Sequence, residues 1–152
     1  MTDAAKPAPR DPFDLPDVSD LSIGVLGGTG EQGRGLALRW AKAGHRVVLG
    51  SRDADRAAAS ASELGHGVTG AANDACAAGA DVVVAAVPWA GHAALLESLA
   101  EPLSGKILID CVNPLGFDKQ GAFALPVEQG SAAQQAAELL PESRVVAAFH
   151  HI

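Results

Sequence analysis

The residues best suited to chemistry in this 152-residue sequence form a glycine run, Gly28-Thr29-Gly30-Glu31-Gln32-Gly33. A Gly-x-Gly-x-x-Gly pattern that follows a strand and opens a helix has a physical purpose. Its first glycine allows a tight turn, its second lets the backbone approach a pyrophosphate, and its third lets the helix pack against the strand. The helix N-terminus then offers unpaired backbone N–H groups and a partial positive charge to the phosphates. Gly27 lengthens the flexible turn. The plain alternative is a glycine-rich strand-to-helix turn that binds nothing.

About 20 residues further on, a domain that binds NAD places Asp or Glu at the end of its second strand to hydrogen-bond the adenosine ribose. This sequence has Gly50-Ser51-Arg52 there. A hydroxyl and a guanidinium do not replace that carboxylate, but they suit a 2′-phosphate, which arginine grips with paired charge-assisted bonds. Arg56, four residues on and near a helix start, reaches the same anion. These two arginines favour NADP(H) over NAD(H); otherwise they solvate a helix start, where positive charge is unfavourable to the macrodipole.

Val87-Pro88-Trp89 closes the fourth predicted strand, at the sheet edge where ligands of such folds lie. Pro88 stiffens the turn, and Trp89 offers a flat apolar surface to a nicotinamide or else simply caps the core. Asn113, in Cys111-Val112-Asn113-Pro114, either hydrogen-bonds ribose or carboxamide or makes a turn before proline. His150 and His151 end the sixth strand on the same edge, where a histidine invites acid–base work. They lack a partner carboxylate, and His45, His66 and His92 have no ligand spacing with them, so no metal site is expected. Cys76 in an alanine-rich helix and Cys111 in a strand read as buried inert thiols. No Ser-His-Asp order or nucleophile elbow is present, and no side chain is nominated as catalytic.

The elements that must hold these residues follow from an alternation of short Val/Ile/Leu runs with alanine-rich stretches of helical spacing, the pattern of βαβ units. Strands are expected at 22–26, 45–49, 81–87, 106–111 and 144–149, with a weak one at 67–69. Helices fit 32–43, 53–64, 73–78, 91–99 and 131–140. The runs at 82–87 and 107–109 are apolar on both faces, as in strands covered by helices on both sides. The fold class is therefore α/β, a doubly wound parallel sheet of the Rossmann NAD(P)-binding kind with strand order 3-2-1-4-5-6. The stretch 113–130, rich in Gly and Pro, reads as one long loop, and such loops are often functional.

Composition bounds the rest. The chain carries 11 Lys+Arg against 18 Asp+Glu, a formal charge of -7, with 48% hydrophobic and 4% aromatic residues. A chain of this length buries roughly 70% of its unfolded surface, enough for a core without disulfides or metals. The acidic balance and the absence of any Lys/Arg run argue against a nucleic-acid binder. Tyrosine is absent, which excludes short-chain dehydrogenase and aldo-keto reductase chemistry, where a Tyr hydroxyl donates the proton. Residues 1–20, with four prolines and five aspartates, read as a disordered acidic tail, and 21–152 as the cofactor-binding domain. Neither a signal or transit peptide nor a membrane-spanning stretch is legible, and two cysteines suit a reducing, cytoplasmic compartment.

Four segments, Ile23-Gly24-Val25-Leu26-Gly27-Gly28-Thr29-Gly30, Gly50-Ser51-Arg52, Val87-Pro88-Trp89 and Ala148-Phe149-His150-His151, occur together and in order. Together they resemble the NADPH-dependent F420 reductase family, the F420:NADP oxidoreductases, over about 21–152. The resemblance implies that Thr29, Gly30, Glu31 and Gln32 contact cofactor phosphates and ribose. It implies that Ser51, Arg52 and Arg56 hold the 2′-phosphate, and that the nicotinamide lies near Val87, Pro88 and Trp89. A Lys is common in the family where this chain has Arg56, which keeps the charge. It also implies direct hydride transfer between nicotinamide C4 and C5 of the deazaflavin coenzyme F420, a reaction that needs alignment and dryness more than an acid or base. Relatives of that family continue into a short helical domain that helps form the deazaflavin pocket and the subunit interface, so a homo-oligomer is implied where that part is present. This sequence stops at Ile152 without it. A fragment, a non-catalytic NADP-binding module, and a related β-hydroxyacid or pyrroline-carboxylate type reductase are the alternatives.

Overall fold

The computed structural model describes residues 13–152. The part of the acidic tail at 1–12 lies outside the described residues, and 13–20 run exposed along the surface without regular structure. Arg46 donates from Nη2 to the Asp20 carbonyl at 2.8 Å, tying the start of the folded part to the sheet.

Six strands form one sheet. They are β1 (Ser22–Leu26), β2 (Arg46–Ser51), β3 (Thr69–Ala72), β4 (Val82–Ala85), β5 (Ile107–Asp110) and, at the far edge, β8 (Arg144–Ala147). Every neighbouring pair is parallel, in the order β3-β2-β1-β4-β5-β8. This is the expected 3-2-1-4-5-6 order, with the sixth sheet strand displaced to eighth in the chain by an intervening hairpin.

Helices cover both faces. On one face α1 (Glu31–Lys42) and α2 (Ala54–Leu64) pack Leu36, Ala37 and Ala61 against Val25, Val47, Leu49 and Val84. On the other, α3 (Asn73–Gly79), α4 (Trp89–Ser98), α5 (Ala100–Leu103) and α6 (Ala132–Leu139) bring Ala77, Leu96, Leu103 and Ala136 against Leu26, Val83 and Leu108. Alternate residues of the inner strands β2, β1, β4 and β5 thus feed opposite cores, which is why these strands read as apolar runs. Small residues set the layer spacing. A Cβ on Gly70 of β3 would collide with the backbone of Ala57 and Ala58 in α2.

The structure corrects several boundaries. The weak third strand lies at Thr69–Ala72 rather than 67–69, because Gly67 sits in a left-handed turn with φ +74°. β4 stops at Ala85, so Val87 and Pro88 lie in the connection, and α4 begins at Trp89, two residues before expectation. β8 stops at Ala147; Phe149 takes φ +64°, which no strand continues through, and His150 and His151 follow in a turn. Cys111 lies just past β5. The stretch 113–130 is not one loop, for it contains an antiparallel hairpin, β6 (Leu115–Asp118) and β7 (Gly121–Ala124). Asp118 closes its turn by accepting the Gln120 N–H at 2.7 Å.

Candidate dinucleotide site

The glycine turn is built by three backbone bonds. Gly28 N–H is shared between the carbonyls of Val25 (3.1 Å) and Gly50 (3.0 Å), and Gly30 N–H donates to Gly27 at 3.1 Å. Gly27 has φ +67°, which makes glycine the natural residue there. A Cβ on Gly33 would lie 2.9 Å from Gly28 Cα, so its hydrogen lets α1 close onto the turn. Gly30 occupies the N-cap of α1 and, having no side chain, leaves the first helical N–H groups without a side-chain acceptor. The helix end is therefore open to an anion.

The bond from Gly28 to Gly50 sets the end of β2 beside this turn. Ser51 is buried, and its Oγ accepts the Asp53 N–H at 3.2 Å. Asp53 caps α2 by accepting from Asp55 (3.0 Å) and Arg56 (3.2 Å), so the nearest carboxylate serves the helix and not a ribose. Arg52 and Arg56 are exposed, and among the described residues neither guanidinium has a hydrogen-bond or ion-pair partner. Arg34, by contrast, binds Ser60 and Glu63, both at 2.9 Å. Among the described residues, no carboxylate meets the two guanidiniums that follow β2.

At the other end of the sheet edge, Gln32, Val87, Pro88, Trp89, Cys111 and Asn113 line a cavity of about 390 Å³. Leu115, Phe117 and Leu125, from the hairpin and the segment after it, add an apolar wall that the sequence did not reveal. Two polar side chains of this lining are already engaged. Gln32 Nε2 donates to the carbonyls of Phe149 (2.8 Å) and Ile152 (3.1 Å), and Asn113 Nδ2 donates to that of His150 at 2.6 Å. The structure thus brings the expected residues Gln32, Val87, Pro88, Trp89 and Asn113 together. It leaves His150 outside the lining, contributing its backbone to the turn beside it. The Phe149 ring packs edge-on to Trp40 at 5.8 Å and anchors that turn.

Cys111 donates from Sγ to the Ala85 carbonyl at 2.9 Å, and burial pushes its thiol up to about 11. Cys76 is likewise buried and pushed up to about 11, so both cysteines are free but inert, as expected.

Sequence reading missed a wholly buried pair, His92 of α4 and Asp110 at the end of β5, with Nε2 and Oδ2 2.6 Å apart. Burial draws the imidazole's proton affinity down, but hydrogen bonds to Asp110 and Gln135 outweigh it and hold the ring above its ordinary value. The signal was present: an acid that ends a buried apolar run, Ile107-Leu108-Ile109-Asp110, requires a partner. Only the fold shows that the partner is a histidine 18 residues earlier.

With the geometry in hand, comparison with known proteins gives consistent results. Residues 22–114 match the family described as NADP oxidoreductase coenzyme F420-dependent. The chain is 42% identical over 143 residues to the F420-dependent NADP reductase of Methanothermobacter thermautotrophicus and 41% identical to that of Methanothermobacter marburgensis. These alignments cover 87% of this chain, which spans 62% and 64% of the two relatives. Among solved structures, a hypothetical protein of Sinorhizobium meliloti superposes with a TM-score of 0.68 at 24% identity, covering 86% of this chain and 62% of that one, and supports the fold.

Proposed function

The chain belongs to the family of coenzyme F420-dependent NADP oxidoreductases, and from that premise we propose that it binds NADP(H) along the sheet's carboxyl edge and transfers hydride between it and the deazaflavin coenzyme F420. The carrying observation is the pair of guanidiniums of Arg52 and Arg56, without partners among the described residues, that follow the strand whose Gly50 is hydrogen-bonded to the glycine turn. Gly28, Thr29, Gly30, Glu31, Gln32 and Gly33 receive the pyrophosphate against the open end of α1. Ser51, Arg52 and Arg56 grip the 2′-phosphate. Val87, Pro88, Trp89 and Asn113 border the nicotinamide.

When bound, the nicotinamide supplies or accepts the hydride at C4. The protein's part is binding, orientation and exclusion of water. Among the residues lining the cleft, Cys111 alone is titratable, and it remains a thiol at neutral pH. Such a lining suits a transfer that moves no proton through a side chain. Two free, buried cysteines fit a reducing, cytoplasmic setting, and no helix among the described residues is long and apolar enough to cross a membrane.

Mixing the protein with NADPH and oxidised F420 tests the reading through the deazaflavin's visible absorbance. Catalytic loss of that absorbance is expected. Binding of NADPH with no absorbance change would overturn hydride transfer and leave an NADP-binding module.

A further inference from the structure

Behind the cleft, a buried pair, His92 and Asp110, continues into two half-buried glutamines, and the hydride transfer uses none of them. Asp110 Oδ2 accepts from His92 Nε2 at 2.6 Å, while its Oδ1 accepts the Val112 N–H at 2.9 Å. On the far side of the imidazole, Nδ1 lies 3.1 Å from Gln135 Oε1, and Gln135 Nε2 donates to Gln129 Oε1 at 3.4 Å. The Gln135 oxygen faces the imidazole, so both ring nitrogens of His92 lie against oxygens. Two N–H donors satisfy both contacts, and these hydrogen bonds outweigh burial in raising the ring's proton affinity above its ordinary value.

A buried ion pair is an inefficient way to fill space, because the desolvation it requires offsets most of its attraction. Its two directional bonds instead fix positions. His92 stacks on Trp89, with ring centroids 5.4 Å apart and planes inclined by 30°. Asp110 holds the backbone of Val112, next to Asn113. Trp89, Val112 and Asn113 all line the cleft.

We propose that His92 is a positioning residue. Locked as an imidazolium between Asp110 and Gln135, it sets the spacing of the turns at 87–89 and 111–113, and with it the fit of the dinucleotide's nicotinamide half. The proposal rests on the reading that NADP(H) occupies this cleft. Among the described residues, Asp110 from β5 is the one charged group whose field acts on the ring; Gln135 from α6 and Trp89 from α4 are neutral, and Cys111 stays a thiol.

Two measurements on the full chain test it. Nitrogen-15 NMR of the imidazoles at pH 6.5, the ordinary value for a histidine, should show both His92 nitrogens predominantly protonated, and a ring with one bare nitrogen there would overturn the proposal. Calorimetric titration then compares NADPH with adenosine 2′,5′-bisphosphate, which carries the 2′-phosphate but no nicotinamide. In His92→Gln, and in the His92→Gln/Asp110→Asn double variant that leaves no unpaired charge, NADPH affinity should fall by about tenfold while the bisphosphate changes by less than about twofold. If both ligands weaken together, or neither does, His92 has no positioning role. Wild-type protein that binds neither ligand refutes the NADP(H) reading itself, and that outcome is distinct from the other two.

Discussion

Asp110 and Arg52 mark the two extremes of how a charge is managed in this protein. Arg52 is exposed, and its guanidinium has no partner among the described residues. It was legible in the sequence, because its place at the end of the second strand carries meaning by itself. Asp110 is wholly buried and already satisfied. Its partner was not legible, since the pairing depends on how α4 lies over β5. The pair makes stability depend on pH, and the sign follows from the raised proton affinity of His92. A histidine that binds its proton more tightly when folded contributes stability fully below its ordinary value of 6.5 and loses that contribution as pH rises through the higher folded value. Urea denaturation should therefore show wild-type stability falling as pH rises above 6.5, with the fall absent from the His92→Gln/Asp110→Asn variant. Wild-type stability rising through that window would mean that the folded ring is neutral.

Among the elements, those rich in Val, Ile and Leu declared themselves. β1, β4 and β5 bury apolar side chains toward both helical layers, so their runs are unbroken in the sequence. β3 did not, because Thr-Gly-Ala-Ala has low strand propensity and is placed by its parallel pairing with β2 and by the close approach of α2. The hairpin was hidden for a different reason: it packs neither face into a core, leaving Phe117 76% and Phe123 46% exposed, so no buried alternation marks it. The close approach at β3 gives a test. Gly70→Ala forces a methyl group into the backbone of α2, and overpacking of this kind costs about 1–3 kcal/mol. At roughly 2–4 °C per kcal/mol for a chain of this size, a clear drop in Tm is expected. An unchanged Tm would show that the α2–β3 contact yields without cost.

At the scale of the whole molecule, the sheet places two different surfaces along one edge. One end offers open helix amides and two guanidiniums that have no partner among the described residues, within a chain of net charge -7. The other offers an apolar cleft walled by Val87, Pro88, Trp89 and the hairpin. A dinucleotide with a 2′-phosphate at one end and a flat nicotinamide at the other matches both. The order of the sheet could be read from strand alternation, and the proposed phosphate end rests on the glycine spacing. The cleft's outer wall and its buried support came only from the assembled fold, because they join residues as far apart as Gln32 and Ile152. The most direct test of the central claim, that this edge selects NADP(H), is calorimetric titration of the full chain with NADPH and with NADH, repeated on Arg52→Ala. Two charge-assisted bonds to the 2′-phosphate predict that NADPH binds on the order of a hundredfold more tightly, and that Arg52→Ala removes most of the difference. Equal affinities for the two dinucleotides in the wild-type protein would contradict it.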